Sequence, residues 1–153
     1  MKTQLLALSA IVGSVLAAPA VADDYVIDTE GQHAFIQFKI KHLGYSWLLG
    51  RFNDFEGKFS YDESNPGNAS VEVTIDTASV DTNHAERDKH LRSDDFLNTG
   101  EYPEASFVST RYVPDSDDEN EGTLYGNFTL NGVTKEIAIE VEQVGAGEDP
   151  WGG

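Results

Sequence analysis

The 153-residue chain contains no cysteine. Disulfides, thiolate metal sites and a cysteine nucleophile are thereby excluded, and stability has to come from packing. Positive charge is also scarce: ten lysines and arginines face 27 aspartates and glutamates, for a formal net charge of −17. A field of that sign repels nucleic acid and, at low ionic strength, anionic lipid surfaces. Familiar catalytic signatures are missing as well. No G-x-S-x-G elbow occurs, the serines of "VGSVL" and "GYSWL" lack its strand-to-helix setting, and the glycine patterns of phosphate and dinucleotide loops are absent. Carboxylates are so abundant that any pair could be nominated for glycosidase chemistry, so their number carries no information.

Long apolar runs are confined to the first residues. Met1–Ala22 places Lys2 before a mostly apolar stretch from Leu5 to Leu16 and ends in Ala20-Val21-Ala22, ahead of two aspartates. This pattern predicts a secretory signal peptide over residues 1–22, cleaved after Ala22 and too short to span a bilayer. Residues 23–153 then form one domain, and no later run favours stable membrane insertion.

What is present is alternation with a period of two. In "HAFIQFKIKH" the residues Ala34, Ile36, Phe38 and Ile40 share one face while Gln37, Lys39 and Lys41 share the other. The same rule aligns Phe55, Gly57, Phe59 and Tyr61, then Val71, Val73 and Ile75, then Leu124, Phe128 and Leu130, and finally Ile137, Ile139 and Val141 with glutamates opposite. Strands are expected near 24–29, 32–41, 50–61, 70–77, 104–112, 122–130 and 135–144, the last two forming a hairpin through Asn131-Gly132. Short connections imply antiparallel neighbours, and no long amphipathic helix is available to cover their apolar faces. The fold class is all-β, a sandwich or a barrel.

One segment breaks the alternation. In "SVDTNHAERDKHLRSDDFL" Asn83 and Glu86 have capping-box spacing and Asp88 and Arg92 are spaced for a helical ion pair, so a short helix is expected near residues 84–93. His84, Glu86 and His90 suggest a metal-dependent enzyme. However, two histidines six apart point about 120° away from alignment on a helix. Arg87, Lys89 and Arg92 either pair with neighbouring acids or form a cationic gate. His42 continues the Ile36-Phe38-Ile40 face, as a core histidine or at the mouth of a pocket. Tyr45 and Trp47 fall on a loop between glycines, where they close a barrel end or form its lip.

The segments "GQHAFIQFKIKHLGYSWLLGRFNDFEGKFSYD", "SVDTNHAERDKHLRSDDFLNTGEYPEASFVST" and "FTLNGVTKE", with "DPWGG" near the end, resemble the YceI-like family of exported polyisoprenoid-binding proteins. The resemblance covers nearly the whole of residues 23–153. It implies a lipocalin-like antiparallel β-barrel in the periplasm that binds or carries a polyisoprenoid or other long-chain lipid, and it transfers no catalytic activity; no cofactor is expected, and the acidic charge argues against a nucleic-acid partner. It also implies two further closing strands after "DPWGG", so an open barrel is expected, with poor solubility, oligomers or an incomplete sequence as the consequence. The expected lining is Ile36, Phe38, Ile40, His42, Trp47, Phe59, Val73, Ile75, Phe107 and Phe128, with Arg87, His90 and Arg92 as head-group contacts. Two rivals stand beside this reading: the metal enzyme on His84, Glu86 and His90, and a stress-related structural barrel filled by its own rings.

Overall fold

The computed structural model describes residues 22–31, 33–148 and 150. The expected signal peptide, apart from Ala22, lies outside them. Strands β1 (Asp23–Val26), β2 (Ile36–His42), β3 (Ser46–Phe52), β4 (Phe55–Tyr61), β5 (Ser70–Asp76), β6 (Val80–Asp81), β7 (Glu104–Pro114), β8 (Glu121–Leu130) and β9 (Val133–Glu142) follow in chain order. One helix, α1 (Ala85–Leu91), stands between β6 and β7. The strands form a six-stranded sheet in the order β1-β4-β5-β7-β8-β9 and a three-stranded sheet in the order β2-β3-β6, with antiparallel pairing throughout the described residues. Asn131 and Gly132 both take positive φ, as the predicted β8–β9 hairpin turn requires.

The single strand expected over 50–61 is two strands. β3 ends at Phe52 and β4 begins at Phe55. Between them the Asn53 N–H donates to the Ser79 carbonyl, and the Asp54 carbonyl accepts from the Asp76 N–H at 2.9 Å. One stretch of chain therefore leaves the small sheet and enters the large one, a corner of the kind found where strands switch sheets. The sequence marks it by a change of parity. The inward face falls on even positions before the bend (Leu48, Gly50, Phe52) and on odd positions after it (Phe55, Gly57, Phe59).

Register explains how the alternation becomes a single apolar surface. Val73 lies beside Gly57 and Phe107, Ile75 beside Phe55 and Ala105, and Phe107 beside Phe128. A bulge between Ser109 and Arg111 shifts the pattern by one, and the face continues with Tyr112 beside Leu124 and Ile139. Glu56, Glu72, Glu136 and Glu140 point to the other side. Full burial is confined to Ile75, Val80, Ala105, Phe107 and Leu124 among the described apolar residues. No ladder joins β9 to β1 or β2 among the described residues, so the barrel is open there, as expected.

Three glycines act as seats for rings on the same face. Phe38 lies over Gly50, Phe107 over Gly126 and Tyr112 over Gly122. A Cβ on Gly126 would stand 2.6 Å from Cε2 of Phe107 and 2.7 Å from the backbone oxygen of Val108, so both a buried ring and the main chain obstruct it. Gly126→Ala is therefore expected to cost about 1–3 kcal/mol by overpacking. Gly50→Ala should cost less, because the half-buried Phe38 ring can swing aside. Urea denaturation of the two variants checks the order, and equal losses would contradict it.

The corner also has an electrostatic latch. Asp81 accepts hydrogen bonds from the Asn83 N–H at 2.8 Å, from Arg51 Nη2 at 3.1 Å and from Asn53 Nδ2 at 3.4 Å. These bonds, the Asn83 backbone bond foremost, hold its carboxyl below the usual range. The stabilisation from a depressed carboxylate is present above its unfolded value of about 4 and is lost as pH falls through the lower folded value. Wild type should thus exceed Asp81→Asn in urea midpoint at neutral pH, and the gap should close in acid. A gap that widens in acid would show the sign to be wrong.

Candidate functional site

The charged segment forms the brace that holds the sheet corner. His84, and not Asn83, caps α1: its Nδ1 accepts the Arg87 N–H at 3.2 Å, while Asn83 takes a left-handed conformation with φ 62°. Asparagine tolerates that conformation, and the tight exit from β6 needs it. The expected Asp88–Arg92 ion pair is not formed. Asp88 is buried, and its Oδ1 accepts both the N–H and the hydroxyl of Thr82. Arg87 donates Nε to Thr82 Oγ1 at 2.7 Å and Nη2 to the Thr82 carbonyl at 2.6 Å. Arg92 donates Nε to the Ala78 carbonyl at 2.6 Å and Nη2 to the Val80 carbonyl at 2.7 Å. Both guanidiniums are thus committed to backbone oxygens, and neither takes the acidic partner that their surroundings suggest.

His90 is exposed, with Nε2 3.3 Å from Asp95 Oδ2 and its ring edge-on to Phe96 at 4.9 Å between centroids. His84, Glu86 and His90 do not form a site: no group of three or more potential ligands is gathered among the described residues. The loop after α1 is tied to the β8–β9 turn, because Asn131 Nδ2 donates to the Phe96 carbonyl at 3.0 Å and the Tyr102 ring lies against Gly132. His90 consequently stands at the end of the sheet from which Phe128 and Leu130 descend.

The apolar lining falls into two groups joined at the corner. On the hairpin, Ile36, Phe38 and Ile40 oppose Phe52, Gly50 and Leu48, and Phe38 and Phe52 stand 5.6 Å apart. His42 has the same parity and lies exposed at the hairpin's turn, opposite Ser46. On the large sheet, Phe59, Val73, Ile75, Phe107 and Phe128 share the face, with Tyr25 stacked on Phe59 at 4.7 Å. Trp47 does not join them. It belongs to β3, opposite Lys41, on the outward side of the hairpin, and Lys39 Nζ stands 4.6 Å from its ring centroid. The two glycines that give this stretch the look of a loop have other tasks: Gly44 makes the turn and Gly50 seats Phe38.

Tyr112 is a lining residue that period-two reading missed, since the bulge hides its parity. Burial pushes its phenol pKa up, and Tyr61 adds to the shift. The face is open to solvent, and Ile40, Phe59 and Ile139 remain exposed. One depression of about 380 Å³ sits at its edge against Tyr25, Phe59 and Val71. A second, of about 460 Å³, is bordered by Asp115, Glu121, Glu140 and Glu142. No helix among the described residues is long and apolar enough to cross a membrane.

Comparison with known proteins adds three findings. A family model for the YceI-like domain matches residues 25–150. The chain is 58% identical over 153 residues to Protein YceI of Escherichia coli O17:K52:H18, covering 100% of this chain and 78% of that protein. It is 59% identical over 155 residues to a UPF0312 protein of Pseudomonas paraeruginosa, with the same coverage. Among solved structures, Campylobacter jejuni YCEI protein superposes with a TM-score of 0.64 at 33% identity, over 80% of this chain and 71% of that one. Burkholderia cenocepacia BcnA shares the fold, with a TM-score of 0.66 at 22% identity over 72% and 67% of the two chains.

The brace predicts a specific weakness. Asp88→Ala leaves the N–H and the hydroxyl of Thr82 without their buried acceptor, at a cost of about 1–3 kcal/mol. Hydrogen exchange should quicken first at Thr82 and along α1. Unchanged stability and exchange would show that Asp88 does not hold the corner.

Proposed function

The chain belongs to the YceI-like family, and from that footing we propose that it binds a long-chain amphiphilic lipid of the polyisoprenoid kind along its apolar face, as a carrier or container in the periplasm. The observation that carries this reading is the seating of Phe38, Phe107 and Tyr112 on glycines. A ring lying flat across a neighbouring glycine lines the sheet instead of standing up from it, and leaves the space above the face free. Each methylene laid on such a surface contributes about 0.8 kcal/mol before ordering costs, so a long hydrocarbon is held without any strong polar contact. In this reading the lining is Ile36, Phe38, Ile40, Phe59, Val73, Ile75, Phe107 and Phe128. His90, exposed at the rim, meets the head group, while Arg87 and Arg92 position α1.

The rivals have less support. A structural barrel packed by its own rings is at odds with the exposure of Phe59 and Ile40 and with a fully buried apolar set of five described residues. The metal enzyme lacks a gathered ligand set among the described residues. The test is lipid extraction and mass spectrometry on full-length protein gently purified from a bacterial periplasm, followed by uptake of a long-chain polyprenol by delipidated protein. A co-purifying long-chain lipid is expected. Phe59→Asp, which puts a carboxylate on the face at an exposed position, should reduce retention by about tenfold or more. Protein that emerges empty and takes up no polyprenol overturns the proposal.

A further inference from the structure

The β2–β3 hairpin carries a second surface, on the side away from the lining, which the lipid site does not use. Its tip and outward face expose Leu43 (76%), Tyr45 (92%), Trp47 (57%) and Leu49 (65%). Lys39 and Lys41 stand on the same face, directly opposite Leu49 and Trp47 in the ladder. No aspartate or glutamate occurs from Gly31 to Asn53 in a chain that has 27 of them. The hairpin is thus apolar, aromatic and cationic on a molecule that is otherwise strongly acidic.

The turn adds an independent observation. Leu43 and Gly44 occupy its two central positions with φ 49° and 81°, and the Tyr45 N–H donates to the His42 carbonyl at 3.0 Å. Asparagine or glycine adopts that left-handed conformation at least cost, whereas leucine is strained in it. Leucine at this position touches no core, being more than three-quarters exposed, so neither the turn nor the packing accounts for it. Backbone strain of this kind collects at sites of function.

We propose that this hairpin tip docks the protein on a phospholipid bilayer, with Leu43 and Tyr45 entering the interfacial region, Trp47 lying at head-group depth, and Lys39 and Lys41 meeting lipid phosphates. The choice of partner rests on charge and side-chain chemistry. Tryptophan and tyrosine beside lysine form the combination that settles at a membrane interface, where rings find a half-apolar layer and ammonium groups find anionic oxygens. A second copy of this acidic chain offers no comparable anionic apolar layer. The inference stands apart from the lipid cargo: a chain that binds bilayers yet carries no polyprenol leaves it intact.

The test is flotation of full-length protein with vesicles of phosphatidylethanolamine and phosphatidylglycerol at physiological ionic strength. A Trp151→Phe background makes Trp47 the sole reporter of its surroundings by fluorescence. Wild type should float with the vesicles, and Trp47 emission should shift to the blue. Leu43→Asn suits the left-handed turn, so its melting temperature should match or exceed that of wild type while its vesicle affinity falls by about tenfold. Tyr45→Ser with Trp47→Ser should abolish flotation with the fold unchanged by circular dichroism. Wild type that does not float overturns the proposal, as do variants that float equally well. Hairpin variants that dissolve a dimer of a protein with no affinity for vesicles overturn it too, and assign the surface to self-association.

Discussion

Between Thr77 and Thr82 the chain crosses from the large sheet to the small one with only the two residues of β6 in a ladder, and its other backbone groups have to find partners that no single strand supplies. The Thr77 N–H and hydroxyl turn to the carbonyls of Tyr102 and Pro103. The carbonyls of Ala78, Val80 and Thr82 are taken by the two guanidiniums of α1, and the Thr82 N–H by the Asp88 carboxylate. An unpaired buried backbone group costs about as much as a lost hydrogen bond, so a bend of this depth exists only where side chains can replace a strand. No buried side-chain nitrogen or oxygen among the described residues is left without a partner. The corner holds because a seven-residue helix, too short to be stable alone, and its C-cap residue Arg92 present three charged side chains toward one hexapeptide.

That corner determines what the rest of the surface can be. It lets one chain direction serve two sheets, so that the hairpin lining of Phe38 and Ile40 and the large-sheet lining of Phe107 and Phe128 belong to one structure. Glycines at Gly50, Gly122 and Gly126 then set the height of that lining. A residue with a Cβ there would lift each ring away from the sheet and into the space above it. The arrangement gives up some strand propensity at each glycine in exchange for a low, smooth apolar face. Such a face differs from a core that fills itself, because the rings do not occupy the space above the sheet.

Much of this was legible in the sequence, and the losses have identifiable causes. Period-two alternation located six of the strands to within a few residues and ran β3 and β4 together, since one apolar face per strand is a local property. The corner at Asn53-Asp54 and the bulge after Ser109 were visible only as changes of parity, which are easily absorbed into one longer strand or a loop. Trp47 was misplaced for that reason: its neighbours Leu48 and Leu49 are equally apolar, so hydrophobicity alone cannot say which of them faces inward. The pairings of Phe107 with Gly126 and of Tyr112 with Gly122 require register, which no single strand contains. Arg87 and Arg92 invited an acidic partner because acids surround them. Their actual partners are carbonyls, which have no signature in a side-chain alphabet.

The acidic body and the cationic hairpin look contradictory as parts of one membrane-facing protein, and the range of the two forces resolves this. Repulsion between a chain of formal charge −17 and an anionic surface is a sum over many distant charges, and salt at physiological strength screens it beyond about 8 Å. Contacts of Leu43, Tyr45, Trp47 and Lys39 with lipid act within a few ångströms and are little affected by that screening. Lys39 is moreover held against the Trp47 ring and kept from straying toward acids elsewhere. Repulsion therefore acts only where the body and its glutamate-lined sheets come close to the surface, while the acid-free stretch from Gly31 to Asn53 makes the approach. Charge of one sign over the body and its opposite at one tip orients the molecule on an anionic surface.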